Sequence, residues 1–343
     1  MKILIAGLGS IGRRHLKNLA ALGVRQLAAV TQNRSALPPD ELPPFLSFDS
    51  METALEWRPD AVFVCNPTAL HVETACMAAH AGCHIFLEKP VSHTLEGLGE
   101  LTYLVEKKGL IVQTGFQFRY HPVFIKIKKA IEQGLIGRAV SAHAHWGEYL
   151  PGWHPWEDYR SSYSAREDLG GGVVLTLCHP FDYLRWMLGE AEVISAVGGH
   201  LSDLETDTED TALVSLQFNT GAIGSVYLDY ISNPPKHTLQ IIGTTGRIEW
   251  DADDGSAKIY STRVQGFETI ASGLFFDRNE MFRAEAADFV DCIAHRRQPG
   301  CTLKDGIKAL EIALAAKVCL EEWPWNLPEK PVAGTTKKGN PIW

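Results

Sequence analysis

The chain has 343 residues, 45% of them hydrophobic and 21% charged, with a formal net charge of −9. That length suits two domains better than one core, and the acidic balance argues against nucleic acid as the main partner, because phosphate binding needs a basic face. No apolar run reaches the length of a membrane span, and the seven cysteines form neither a C-x-x-C pair nor a Cys/His array of zinc type.

In chain order, residues 3–6 read as a strand that runs into glycines. Residues 11–22 have helical spacing, with apolar positions every three or four residues. Strands follow at 27–30, 61–65, 83–87 and 110–114, and helices at 69–81 and 94–108. Strands alternating with helices predict a doubly wound parallel sheet. After Arg119 the pattern changes: a helix over 122–133, a strand over 138–146, and a long aromatic loop over 148–168. The glycines 170–172 then open a single helix ending near Gly189. From 193 to 260 short strands with turn signals favour an antiparallel sheet. Helices over 280–296 and 303–322 precede an irregular tail. The expected organisation is a Rossmann domain over 1–120, an α/β domain over 121–325 and a tail over 326–343.

Gly7-Leu8-Gly9-Ser10-Ile11-Gly12 follows a strand and opens a helix, the context that gives G-x-G-x-x-G its meaning. Gly7 permits the turn, Gly9 lets backbone approach a pyrophosphate, and Gly12 lets helix and strand pack closely. The second strand ends at Val30-Thr31-Gln32-Asn33-Arg34, with no carboxylate for a ribose 2′-hydroxyl. Thr31 and Asn33 could bond a 2′-phosphate, and Arg34 or Arg13 could neutralise it, so NADP(H) is expected over NAD(H). Arg34 as a solvated loop charge is the alternative.

Glu88-Lys89-Pro90 closes a predicted strand at the edge where open α/β sheets bind ligands. There Lys89, with a lowered pKa, could hold a substrate hydroxyl or carry its proton. From the tripeptide alone a surface lysine is the commoner reading. His179 has the residue type of a general acid/base and Asp182 shares its helix face, although a histidine in an apolar helix is often a core residue. In the aromatic loop, Trp153, Tyr159, Arg160 and Tyr163 offer ring faces and polar tips suited to a sugar. An interface loop would look the same.

Taken together these segments resemble the Gfo/Idh/MocA family, which unites glucose-fructose oxidoreductase, inositol dehydrogenase and rhizopine catabolism enzymes. The resemblance rests on Gly7 to Gly12 with Arg13 and His15, on Cys65-Asn66-Pro67-Thr68 with His71, and on Glu88-Lys89-Pro90. It continues through Gln113-Thr114-Gly115-Phe116-Gln117-Phe118-Arg119 and the block from Gly170 to Asp182. It implies a Rossmann domain followed by an α/β domain on an open, predominantly antiparallel sheet whose exposed face commonly makes an oligomer, here a dimer or tetramer. It places Ser10, Ile11, Asn66, Pro67, Thr68, His71, Glu88 and Gln117 at the cofactor. Lys89 and His179 are then the catalytic pair, with Arg119 and Asp182 beside the substrate. One departure is visible: many relatives carry an aspartate four residues before the histidine, where this chain has Leu175.

The function expected is hydride transfer between NADP(H) or NAD(H) and a hydroxyl-bearing carbon of a sugar, nucleotide sugar or sugar derivative, without metal. A dinucleotide-binding regulator without turnover, and a sugar oxidoreductase or epimerase with tightly held cofactor, are the alternatives. An odd cysteine count and the absence of a signal-peptide pattern predict a cytoplasmic location.

Overall fold

The computed structural model describes residues 1–31, 41–154, 156–262, 266–270 and 276–322. Asn33, Arg34 and the tail after residue 322 lie outside them.

The chain begins with β1 (Lys2–Ala6), α1 (Ser10–Ala21), β2 (Gln26–Val30), β3 (Leu46–Phe48), α2 (Met51–Glu56) and β4 (Ala61–Val64). Then come α3 (His71–His80), β5 (His84–Leu87), α4 (Leu98–Lys108) and β6 (Val112–Thr114). The six strands form one parallel sheet in the order β3-β2-β1-β4-β5-β6. Ile3, Leu4, Ile5, Val62, Phe63 and Val64 are fully buried, as expected of strands covered on both faces. Two differences from the sequence reading stand out. β3 and α2 occupy a stretch where no element was expected. And α4 starts at Leu98 rather than 94, because Gly97 adopts φ 73° and a Cβ there would lie 2.7 Å from Val72 Cγ1.

The second part opens with α5 (Pro122–Glu132) and β7 (Ala139–Gly147), followed by short 3₁₀ turns through the aromatic loop. The single helix expected after the glycines is two, α6 (Val173–Thr176) and α7 (His179–Leu188), separated at Leu177-Cys178. There follow β8 (Ala191–Gly199), β9 (Thr211–Phe218), β10 (Ile223–Asp229), β11 (Lys236–Gly243), β12 (Gly246–Asp251), β13 (Ala257–Ser261) and β14 (Gly266–Ile270). The eight strands order as β14-β13-β12-β11-β7-β10-β9-β8, antiparallel except for the β7–β10 pair. Their inner residues, among them Ala144, Trp146, Val226, Leu239 and Trp250, are buried, whereas Leu213, Ile223 and Ile242 on the other face are exposed.

The chain ends with α8 (Asn279–His295) and α9 (Leu303–Glu321). α8 returns to the first sheet: Phe289 packs edge-on against the stacked rings of Phe63 and Phe86, and Asn18 and Asn279 exchange amide hydrogen bonds. Thr114 N–H also donates to Cys301 O at 3.0 Å. These contacts cross the expected boundary near residue 120. One hydrophobic cluster runs from the first sheet into the second, and a smaller one lies between the first sheet, α1 and α8.

Candidate active site

A cleft of about 1140 Å³ lies along the C-terminal edge of the first sheet and is closed from above by the aromatic loop and α7. It exceeds an ordinary small-molecule pocket and has room for a dinucleotide and a second ligand.

The cofactor half is built largely from backbone. Gly7 turns with φ 100°, and a Cβ on it would stand 2.7 Å from Asn66 N. A Cβ on Gly12 would stand 2.0 Å from Gly7 O, so Gly12 serves the packing of α1 and does not line the cleft. Gly9 lines it, and a Cβ there would meet nothing within 4 Å. α1 has no side-chain cap and no acidic residue in its first turn, which leaves its N-terminal N–H groups for an anion. Ser10 and Ile11 line the same floor. Asn66 anchors through Nδ2 on Thr74 Oγ1 at 2.8 Å, while its Oδ1 is buried without a partner among the described residues. Pro67, Thr68 and Gln117 complete the wall. This chain thus fits a diphosphate-bridged dinucleotide: an uncapped helix start, an open glycine and a waiting acceptor.

His71 holds two strand ends together, with Nδ1 2.8 Å from Pro90 O and Nε2 2.9 Å from Asn66 O. Burial lowers its pKa against the opposing pull of the two carbonyl acceptors. Thr31 lies at the far end of the cleft, 2.7 Å from Ser47 Oγ. Arg14, and not the expected Arg13, lines the cleft; its guanidinium sits 4.4 Å from the Phe282 ring. Burial and then the nearby Arg278 lower the Arg14 pKa. Arg278 and Phe282, from the start of α8, face the same space.

Beneath this half Glu88 Oε1 meets His15 Nε2 at 2.7 Å. Glu285 of α8 is fully buried beside them, both carboxyl oxygens unpartnered among the described residues. Burial, then the Glu88 charge, pushes the Glu285 carboxyl well above the usual range, so Glu285 carries a proton. One ligand-type atom of each residue lies within 4.8 Å of the others, a cluster the sequence reading did not foresee.

Lys89 and His179 meet in the substrate half. Lys89 Nζ donates to Thr176 O at 2.8 Å. Burial pushes its pKa down, but Tyr163, Cys178, Glu88 and Glu148 outweigh it and the net shift is upward. This corrects the expectation of a lowered lysine pKa: the group is an ammonium. His179 is the first residue of α7, so the break after α6 turns its ring into the cleft. The ring lies on Trp146 (4.9 Å, 18°) and edge-on to Phe116 and Phe118. Burial, then Lys89, Arg278 and His237, lowers its pKa well below 6.5, so the imidazole is neutral. Leu175 is buried against the core and adds no charge.

The expected substrate contacts divide. Trp153 and Tyr163 line the cleft, and Trp153 Nε1 is buried without a partner among the described residues. Tyr159 and Arg160 do not line it. The Tyr159 hydroxyl accepts Glu205 N–H at 3.0 Å, and Arg160 is exposed and neutralised by Asp158 and Glu205. Arg119 and Asp182 are drawn away too: Asp182 takes both Nε (2.9 Å) and Nη2 (2.7 Å) of Arg119 in a buried pair, and Arg119 Nη1 donates to Gly300 O. They tie α7 to the α8–α9 connection. Sequence reasoning missed Arg14, Trp146, Glu148, Arg278 and Phe282. Only Trp146 left a signal, as a large ring closing the small inner row Ala142 and Ala144 of β7.

Among the described residues no helix is long and apolar enough to cross a membrane. Residues 1–116 match the model of an oxidoreductase family with an NAD-binding Rossmann fold, and residues 124–249 match the GFO/IDH/MocA C-terminal domain. The chain is 30% identical over 339 residues to the myo-inositol 2-dehydrogenase of Thermotoga maritima, covering 94% of this chain and 97% of that protein. It is 29% identical over 327 residues to the scyllo-inositol 2-dehydrogenase (NAD(+)) of Bacillus subtilis, covering 91% and 92%. Its fold superposes on levoglucosan dehydrogenase in complex with NADH with a TM-score of 0.82 at 23% identity, over 94% of this chain and 97% of that one. With both of its domains matched in order, the chain belongs to the Gfo/Idh/MocA family of oxidoreductases with an NAD-binding Rossmann domain.

Proposed function

We propose that this chain transfers hydride between a nicotinamide dinucleotide and a hydroxyl-bearing carbon of a neutral sugar or polyol. The observation that carries the reading is the meeting of a neutral His179 and a protonated Lys89 in the cleft that also contains the glycine turn. The inositol and levoglucosan dehydrogenases named above support the substrate class.

A bound nicotinamide supplies the hydride acceptor. In the oxidative direction His179 takes the hydroxyl proton, which its uncharged ring is ready to accept. The Lys89 ammonium donates a hydrogen bond to the same oxygen as negative charge grows there, and the Thr176 carbonyl fixes its direction. In reduction the proton returns from the imidazolium. Trp153 and Tyr163 cover the substrate and exclude water.

The lack of a carboxylate in Val30-Thr31-Gln32-Asn33-Arg34 supports NADP(H) over NAD(H). The free thiols favour a reducing, cytoplasmic compartment, and the uncovered sheet face favours a homo-oligomer.

The test is oxidation of myo-inositol, scyllo-inositol and levoglucosan with NADP⁺ and NAD⁺, followed at the reduced nicotinamide band. Turnover is expected, and His179→Ala lowers kcat/KM by about 10³-fold while dinucleotide affinity stays within about threefold. Full activity in that variant would remove His179 from the chemistry. Tight dinucleotide binding without turnover on any polyol would replace the enzyme reading with a regulator.

A further inference from the structure

The end of β7 carries a carboxylate into the substrate half. Glu148 follows the strand directly, and its N–H donates to Asp229 O at 3.0 Å, so the β7–β10 pairing sets its position. Its Oε1 accepts Trp146 Nε1–H at 2.7 Å. The Trp146 indole is sandwiched between His179 (4.9 Å, 18°) and His237 (4.2 Å, 16°). His237 is itself held by the Tyr183 hydroxyl at 3.2 Å. The carboxylate, the indole and the imidazole of His179 are thus one linked unit.

Glu148 is half-buried and faces the cleft with Lys89, Tyr163 and His179. A carboxylate offers about four acceptor sites, and Trp146 fills one. The remaining acceptor sites face the cleft beside Lys89 and His179, where a ligand donor can take the place of solvent. We infer that Glu148 is a substrate-binding residue whose carboxylate accepts a hydrogen bond from the hydroxyl next to the reacting one, so that the site selects a vicinal diol. Lys89 and His179 engage the reacting oxygen, and Glu148 engages its neighbour. The negative charge of Glu148 also adds to those that keep Lys89 protonated, and it disfavours a substrate carrying a carboxylate at that position. The inference rests on the hydride-transfer reading above.

The experiment compares myo-inositol with its monodeoxy analogues in the wild type, in Glu148→Gln and in Trp146→Phe. Glu148→Gln keeps a carbonyl acceptor for the indole, and Trp146→Phe keeps an aromatic face on His179. Two readouts are taken: kcat/KM with oxidised cofactor, and calorimetric Kd for the enzyme–NADH or enzyme–NADPH complex. The wild type is expected to favour the diol over the weakest deoxy analogue by about 10²-fold. In Glu148→Gln that ratio falls to about tenfold or less, with Tm and dinucleotide affinity unchanged. A merely structural role would move Tm or all polyols together and leave the ratio intact. An unchanged ratio overturns the role of Glu148 and leaves the hydride reading standing. Binding of myo-inositol without oxidation overturns the hydride reading, and the Kd ratio then decides Glu148. Neither binding nor oxidation of any of these polyols overturns both.

Discussion

Along the cofactor half of the cleft the groups facing the ligand are mostly backbone: an open glycine, an uncapped helix start and strand ends held by His71. Along the substrate half they are side chains, set by a stack of rings and by a loop with little regular structure. Backbone recognition suits a cofactor whose phosphates are always the same, because it leaves side chains free to vary around it. Side-chain recognition suits a substrate, since one residue can change the chemistry accepted. The two halves should therefore fail differently when altered.

The largest effect is expected at the glycines, where the comparison can be broken most directly. In Gly12→Ala the new methyl would stand 2.0 Å from Gly7 O, and backbone rather than a flexible side chain must give way. About 3 kcal/mol of stability should be lost, together with about 10²-fold in dinucleotide affinity, because the turn and α1 move together. Gly9→Ala meets nothing within 4 Å, so Tm should hold while dinucleotide Kd rises about tenfold through the methyl alone. Thermal melting with and without NADPH or NADH separates the two. Equal loss of stability in both variants would show that Gly9 is structural and that the open backbone is not a ligand surface.

The same contrast explains what could be read from the sequence. Gly7 to Gly12, Asn66 and Glu88-Lys89 sit at strand ends that local periodicity marks, so the cofactor half was legible. His179 was legible as a residue type, but the break at Leu177-Cys178 that aims it was hidden in a continuous apolar run. Arg119 and Asp182 misled because polarity alone does not say whether a charge meets a ligand or another charge 63 residues away. Arg278 and Phe282 reach the site only because α8 folds back onto the first sheet, a contact no local pattern encodes.

A smaller effect should come from the ring cluster behind the substrate half. Burial pushes the His121 pKa down to about 4, and its Nδ1 accepts Val123 N–H at the start of α5. The unfolded chain takes up this proton near 6.5, before the folded one does. The contribution is therefore complete above pH 6.5 and is lost as pH falls from 6.5 to 4, by ~3 kcal/mol in all. In His121→Asn, whose side-chain carbonyl can still cap α5, part of the packing is lost at every pH, but this acid-dependent part disappears. Denaturant midpoints of both proteins should converge as pH falls from 7 to 4. Parallel curves would mean that His121 takes up its proton in the folded protein as readily as in the unfolded chain.

The smallest effect is expected at Arg160, and it sharpens the boundary of the substrate half. From the sequence, a guanidinium among aromatics reads as a sugar ligand. In the structure Asp158 receives its Nε at 2.9 Å and its Nη2 at 2.7 Å, and Glu205 takes the remaining arm. All three side chains are exposed, so solvent screens the charges. No donor of Arg160 is turned to the cleft, which Ser161, Ser162 and Tyr163 line instead. Arg160→Ala should leave KM for myo-inositol within about twofold and Tm within about 1 °C. Tyr163→Phe, which keeps the ring and removes a hydroxyl beside Lys89, should raise KM several-fold more than that. If Arg160→Ala instead raised KM about tenfold with Tm unchanged, the loop would have to rearrange on substrate binding, release Asp158 and carry the guanidinium into the cleft.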